Sequence, residues 1–268
     1  MADTEKNSIN NRTLPERHEL IMNMLRESGS ITVTALAERL NVSEVTIRKD
    51  LNLLEEKKIL YRTHGSAVLV NPYINDRHVN EKEKQSVREK HAIGRFAAEL
   101  VTPSDTILIA SGTTMMALAR EIEVKEHLTA ITAAINVAMI LAKNKNIDII
   151  QLGGILRNSS VSAVGPYAED MLRNFSCSKL FIGVDGIDSE FGLTTTNLME
   201  AELNRVMIGS VQKVIVLADS SKFGRKGFAK ICDITAVNQV ITDSRIPEHA
   251  YRELTEAGIE VSVVDIPE

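Results

Sequence analysis

A chain of 268 residues is long enough for one large domain or two unequal ones, and 44% hydrophobic with 25% charged residues is ordinary for a globular protein. The net charge of −5 gives no sign of a nucleic-acid partner, although acids and bases balance over residues 1–72 and the acidic excess lies beyond them. Two distant cysteines, Cys177 and Cys232, argue against a disulfide framework or a zinc site, so no metal or cofactor is expected. The polar start MADTEKNSINNRTLPERHELI and the shortness of the longest weakly polar run, AAINVAMILA, make the expectation a cytoplasmic protein without a membrane span.

Residues 1–13 are polar and aperiodic and are expected to form a loose tail. LPERHELIMNMLRES then places Leu14, Leu20, Ile21, Met24 and Leu25 near one helical face, with Pro15 suited to the first turn and Gly29 ending the run. Thr32 can cap a second helix, VTALAERL, which Asn41 can end, and Ser43 can cap a third, EVTIRKDLNLLEEKK. Two short helices separated by a tight turn, followed by a hairpin in ILYRTHGSAVLV, spell a winged helix-turn-helix over residues 14–70.

On the third helix Ile47, Leu51 and Leu54 share an inward face, and Val45, Arg48, Lys49 and Asn52 lie on the other. Such a face meets the needs of a recognition helix: Arg48 and Lys49 offer donors and cations, Val45 a partner for a thymine methyl, and Ser43, Thr46 and Asn52 further polar contacts. The bland alternative is that Arg48 and Lys49 solvate a surface helix and pair with Glu44 and Glu55. Arg62 and His64 on the wing would sit against phosphates or a minor groove, or serve only the turn.

Residues 71–88 are charge-dense and read as a linker leading into a helix that ends near Leu100. Residues 89–268 then alternate short β-rich runs (TILIA, LTAIT, IDIIQL, KLFIGV, KVIVLA, VNQVIT, IEVSVV) with helical stretches, the pattern of a doubly wound, mostly parallel α/β domain. ASGTT follows one strand and opens a helix, so Ser111, Gly112, Thr113 and Thr114 can either hold a phosphate or simply cap the helix. Gly153 and Gly154 in QLGGILR line a second turn, with Arg157 close by. GVDGID sets Asp185 and Asp188 three apart on a turn, as paired carboxylates for proton transfer would be.

NVSEVTIRKDLNLLEEKKILYRTHGSAVL closely resembles the DNA-binding head of the DeoR family of bacterial transcriptional regulators. The match continues in order through ASGTT, QLGGILR, GVDGID, GLTT and ADSSKFG, and so covers nearly the whole chain; Ser66 departs from it, standing where the family usually has a second glycine. The resemblance implies a sensor domain similar to ribose 5-phosphate isomerase and its relatives, with phosphorylated sugars as effectors. It matches Ser111, Gly112, Thr113 and Thr114 to a phosphate loop, Asp185 and Asp188 to the paired aspartates, and Lys222 to a ligand-contacting lysine. The isomerase's catalytic glutamate falls on Asn204, which cannot act as a base, and its lysine near Thr195. Glu200 and Glu202 lie four and two positions from the matching place. The expectation is therefore a non-enzymatic regulator, a repressor of a sugar-catabolism operon, with operator DNA, a phosphosugar and further copies of itself as partners in a dimer or tetramer. The alternative is an active phosphosugar isomerase or deaminase with a DNA-binding head.

Overall fold

The computed structural model describes residues 13–28, 30–56, 60–63, 66–69 and 78–266, which belong to two compact units, Met1–Asn75 and Asp76–Glu268. The expected tail up to residue 12, the wing tip with His64 and Gly65, and linker residues 71–77 lie outside the described residues.

In the first unit, α1 (Leu14–Ser28) is followed by β1 (Ser30–Thr32), α2 (Val33–Leu40), α3 (Glu44–Glu56), β2 (Leu60–Thr63) and β3 (Ser66–Leu69). Local chemistry fixes the turn. The Thr32 hydroxyl accepts the Ala35 amide at 3.1 Å, Asn41 closes α2 in the left-handed region at φ 53°, and Ser43 Oγ accepts the Thr46 amide at 3.1 Å to open α3. Ile21 and Leu25 of α1, Leu36 and Leu40 of α2, and Ile47, Leu51 and Leu54 of α3 form the core, whereas Leu14 is exposed and Leu20 and Met24 are only half-buried. The wing has one strand more than its hairpin pattern suggested, because β1 pairs antiparallel with β3 and makes the order β1-β3-β2. Inside this core the buried Asp50 carboxylate takes both Nε and Nη2 of Arg17, with His18 Nε2 at 3.6 Å, and so ties α1 to α3.

The second unit opens with α4 (Val79–Glu83) and α5 (Val87–Ala98) and continues with β4 (Thr106–Ile109), α6 (Thr113–Glu121), β5 (Leu128–Thr132), α7 (Ile135–Leu141) and β6 (Ile147–Gln151). Two short strands, β7 (Ile155–Arg157) and β8 (Ser162–Val164), and α8 (Pro166–Leu172) lead to β9 (Cys177–Ile182). There follow β10 (Gly186–Asp188), β11 (Gly192–Thr195), α9 (Leu198–Gly209), β12 (Val211–Leu217), β13 (Ala229–Cys232), β14 (Gln239–Asp243), α10 (Glu248–Glu256) and β15 (Glu260–Val264).

Seven of these strands form one sheet in the order β15-β14-β12-β9-β4-β5-β6, every pair parallel. Alternate residues of the central strands enter opposite cores: Leu108, Leu180 and Val216 face one, Ile107, Phe181 and Ile215 the other. The remaining short strands make two small antiparallel sheets, β7-β8 and β10-β11-β13. No helix among the described residues is long and apolar enough to cross a membrane.

Candidate functional site

The chain runs outward from β4 to β5 and β6, then returns to place β9 on the other side of β4 and continues to β12, β14 and β15. The winding thus reverses between β4 and β9, and crevices in open α/β sheets lie beyond the carboxyl ends of the strands at such a point. A cleft with about 820 Å³ of free space, open mouth included, sits there. Its floor comes from the segments after β4 (Ser111, Gly112, Thr113, Thr114), after β9 (Gly183, Asp185) and after β12 (Asp219, Ser221, Lys222). Its walls come from α4 and the start of α5, from Arg157, Ser159 and Ser160, and from Thr195 and Glu200.

Gly112 precedes α6 at φ 126°, a conformation glycine adopts readily, and no side chain caps the helix. The first-turn amides of α6 are therefore available to an anion, with the helix dipole favouring negative charge there. Lys222 makes no ion pair among the described residues. Lys82 Nζ donates to Asp185 Oδ1 at 2.7 Å, and the Lys90 ammonium donates to the carbonyls of Lys82 and Gln85, each at 2.5 Å. Glu200 accepts from the Ser111 hydroxyl at 2.7 Å and from Arg157 Nη1 at 2.7 Å. The single Thr195 hydroxyl proton serves either Glu200 or Asp185, both 3.2 Å away.

Burial alone would raise the Asp185 pKa, but the Lys82 charge and hydrogen bond, with Lys222 and Thr195, outweigh it and hold the group below the usual carboxylate range. Burial lowers Lys90 to about 8, Lys222 and Lys82 adding to the effect and Asp219 and Glu89 opposing it. The cleft thus offers anion donors at one place and two fixed, already paired carboxylates at another. That suits a ligand with an anionic group and several hydroxyls.

Of the effector-site residues expected from the sequence, Ser111, Gly112, Thr113, Thr114, Asp185 and Lys222 line this one cleft. Gly153, Gly154 and Asp188 do not. Gly154 has φ 148° and lies so close to β8 that an added Cβ would meet the Val164 carbonyl at 2.7 Å; its smallness serves backbone packing. Asp188 Oδ1 accepts the amides of Glu190 and Phe191 at 3.1 and 2.7 Å and so closes the β10–β11 turn, with Lys226 3.4 Å from its other oxygen. Asn204, on which the isomerase's glutamate falls by resemblance, does not line the cleft either. Asn204 is buried outside the cleft, and Glu200, one turn earlier, lines it. Four residues make about one helical turn, so both positions share a face of α9, and the one nearer the helix start reaches the cleft. Lys82 and Lys90 also line the cleft without having been expected there, and Thr195 entered only as the place near which the isomerase's lysine falls.

In the first unit, Val45 is 60% exposed on α3, and Arg48, Lys49 and Asn52 are exposed beside it. Ser43 and Thr46 join their hydroxyls at 2.9 Å at the helix start. The Arg48–Glu44 ion pair measures 2.7 Å, but both partners are solvent-exposed, and such pairs are worth only about 0.3–0.5 kcal/mol. The guanidinium can exchange it for a phosphate or a base edge at little cost. Arg62 belongs to β2, where its backbone pairs with Ala67, and His64 is outside the described residues.

Residues 17–72 match the DeoR-like helix-turn-helix domain, and residues 85–244 match the DeoR C terminal sensor domain. A candidate aga operon transcriptional repressor of Escherichia coli O157:H7 is 37% identical over 93% of each chain. The HTH-type transcriptional regulator GolR of Listeria innocua is 33% identical over 93% of this chain and 98% of its own. The glycerol-3-phosphate regulon repressor of Escherichia coli K12 is 31% identical over 92% and 98%.

Proposed function

The chain belongs to the DeoR family of DNA-binding transcriptional regulators, and we propose that it represses a sugar-catabolism operon under the control of a phosphorylated sugar. The observation that carries the sensor half is the pairing of the uncapped α6 N-terminus with Lys222 in the same cleft as Asp185 and Glu200. A phosphate takes the amides and the ammonium, and sugar hydroxyls donate to the carboxylates. Relatives named for the aga operon and the glycerol-3-phosphate regulon support a metabolite-responsive repressor.

Catalysis is not part of this reading. Asp185 is ion-paired and held in its ionised form, which makes it a weak base, and both Glu200 oxygens already accept hydrogen bonds. Purified protein incubated with ribose 5-phosphate or glucosamine 6-phosphate should show no turnover; conversion at enzyme-like rates would replace the sensor with an isomerase or deaminase.

The DNA half rests on α3. Its exposed residues Val45, Arg48, Lys49 and Asn52, with Ser43 and Thr46 at its start, meet base edges and phosphates, and Arg62 and His64 follow on the wing. Operators read by such heads have two half-sites, so the working form is a homo-oligomer. Arg48→Ala should weaken operator binding by about 1–3 kcal/mol per half-site in a gel-shift titration while phosphosugar affinity, read by calorimetry, stays unchanged. Loss of both together would count against two separable sites.

A further inference from the structure

We propose that the segment leading out of the DNA-binding unit is itself a wall of the effector site, with Lys82 a ligand-binding residue whose ion pair to Asp185 the effector replaces. The inference rests on the sensor reading above and adds the route by which occupancy is felt. The first unit ends at Asn75, and α4 begins only four residues later, at Val79. Val79, Lys82, Gln85, Ser86 and Lys90 all line the cleft.

What holds α4 in place is mostly polar. Of its five residues only Val79 is buried; its amide also donates to the Ser159 carbonyl at 2.6 Å. The Glu83–Arg120 pair, 2.6 Å long, lies in solvent and contributes little. The remaining attachments are the Lys82–Asp185 pair and the Lys90 ammonium, which gathers the last carbonyls of α4 and its following turn. That turn passes through Ser86 at φ 48°, a left-handed conformation that a residue other than glycine adopts at a cost. A short element fastened by two ammonium groups inside the ligand space cannot ignore what enters it.

The exchange conserves charge. Sugar hydroxyls donate to Asp185 in place of the ammonium, and Lys82 turns to an anionic or hydroxyl oxygen of the ligand, so the direct pair becomes a ligand-bridged one. Three ammonium groups, Lys82, Lys90 and Lys222, and the Arg157 guanidinium line the cleft with the three carboxylates Asp185, Glu200 and Asp219, and an entering phosphate dianion competes with those carboxylates for the lysines. An effector acts on a distant site only through a difference in how it binds two arrangements, here α4 held by the Lys82–Asp185 pair and α4 held through the ligand.

Hydrogen exchange of the full chain, with and without millimolar ribose 5-phosphate or glucosamine 6-phosphate, tests this without an operator. Binding should slow exchange at residues 112–116 and change it by about tenfold or more across residues 79–86. In Lys82→Met the first effect should persist and the second disappear, and Lys82→Arg should restore part of it. Protection at residues 112–116 with no change at 79–86 in the unmodified protein overturns the proposal, as does an unaltered response in Lys82→Met. No protection anywhere with either sugar phosphate removes the sensor reading itself and this inference with it.

Discussion

Asp105, just before β4, gathers four donors: the Thr102 amide at 2.8 Å, the hydroxyls of Thr102 and Ser178 at 2.7 and 2.8 Å, and Lys179 Nζ at 2.5 Å. Burial pushes its pKa up, but these donors outweigh burial and bring it to about 2. Because the folded value lies below the unfolded one of about 3.9, the group stabilises the fold at neutral pH, and that contribution is lost as pH falls through about 2. Asp105→Asn should cost on the order of 1 kcal/mol at pH 7 after solvent screening, and urea titrations at pH 7 and pH 2 should show the difference from the native chain shrink to a fraction at the lower pH, where the native group is about half protonated. A difference undiminished at pH 2 would mean the side chain acts through packing. At this scale the site was partly legible. Ser111 to Thr114, Asp185 and Lys222 sit in short motifs directly after strands, where backbone geometry delivers them to one place. Lys82 and Glu200 were not legible, because their partners Asp185 and Ser111 are 103 and 89 residues away along the chain. Asp188 closes a turn and lies off the cleft, a placement its sequence context does not distinguish from a ligand-facing one.

Among elements, the joint between α1 and α3 is the most exposed to damage. Asp50 is 1% accessible, and its charge is balanced by Arg17 with His18 nearby. Asp50→Ala removes the charge-assisted hydrogen bonds that join α1 to α3 inside the first unit's core, at a cost of about 3 kcal/mol or more. Calorimetry should show the transition of the first unit lowered and that of the second unmoved; equal lowering of both would mean the units do not unfold separately. Fold legibility follows element length. α2 and α3 announced themselves through periodicity and caps, and the seven core strands through continuous apolar runs, since a parallel sheet buries both faces. The strands β7, β8, β10 and β11 have only three or four residues each, and β1 has three; at that length alternation carries no signal. Their pairing is decided by close backbone approach, as at Gly192, where an added Cβ would lie 2.1 Å from the Cys232 carbonyl.

At the level of the whole molecule, a net charge of −5 has to be reconciled with a polyanionic partner. The reconciliation is distribution: acids and bases balance in residues 1–72, so the unit that meets DNA is not the one that bears the excess. Phosphate contacts from a few lysines and arginines make affinity fall with salt in proportion to their number, and a gel-shift series in rising potassium chloride counts them. The division at Asn75 and Asp76 also bears on how such regulators are recombined. A chimaera that joins a foreign reading head to this sensor must keep residues 76–90 with the sensor half, because Lys82, Gln85, Ser86 and Lys90 line its cleft. A seam placed a dozen residues later, at the start of α5, would look conservative on a domain map and would cut the sensor's own wall away.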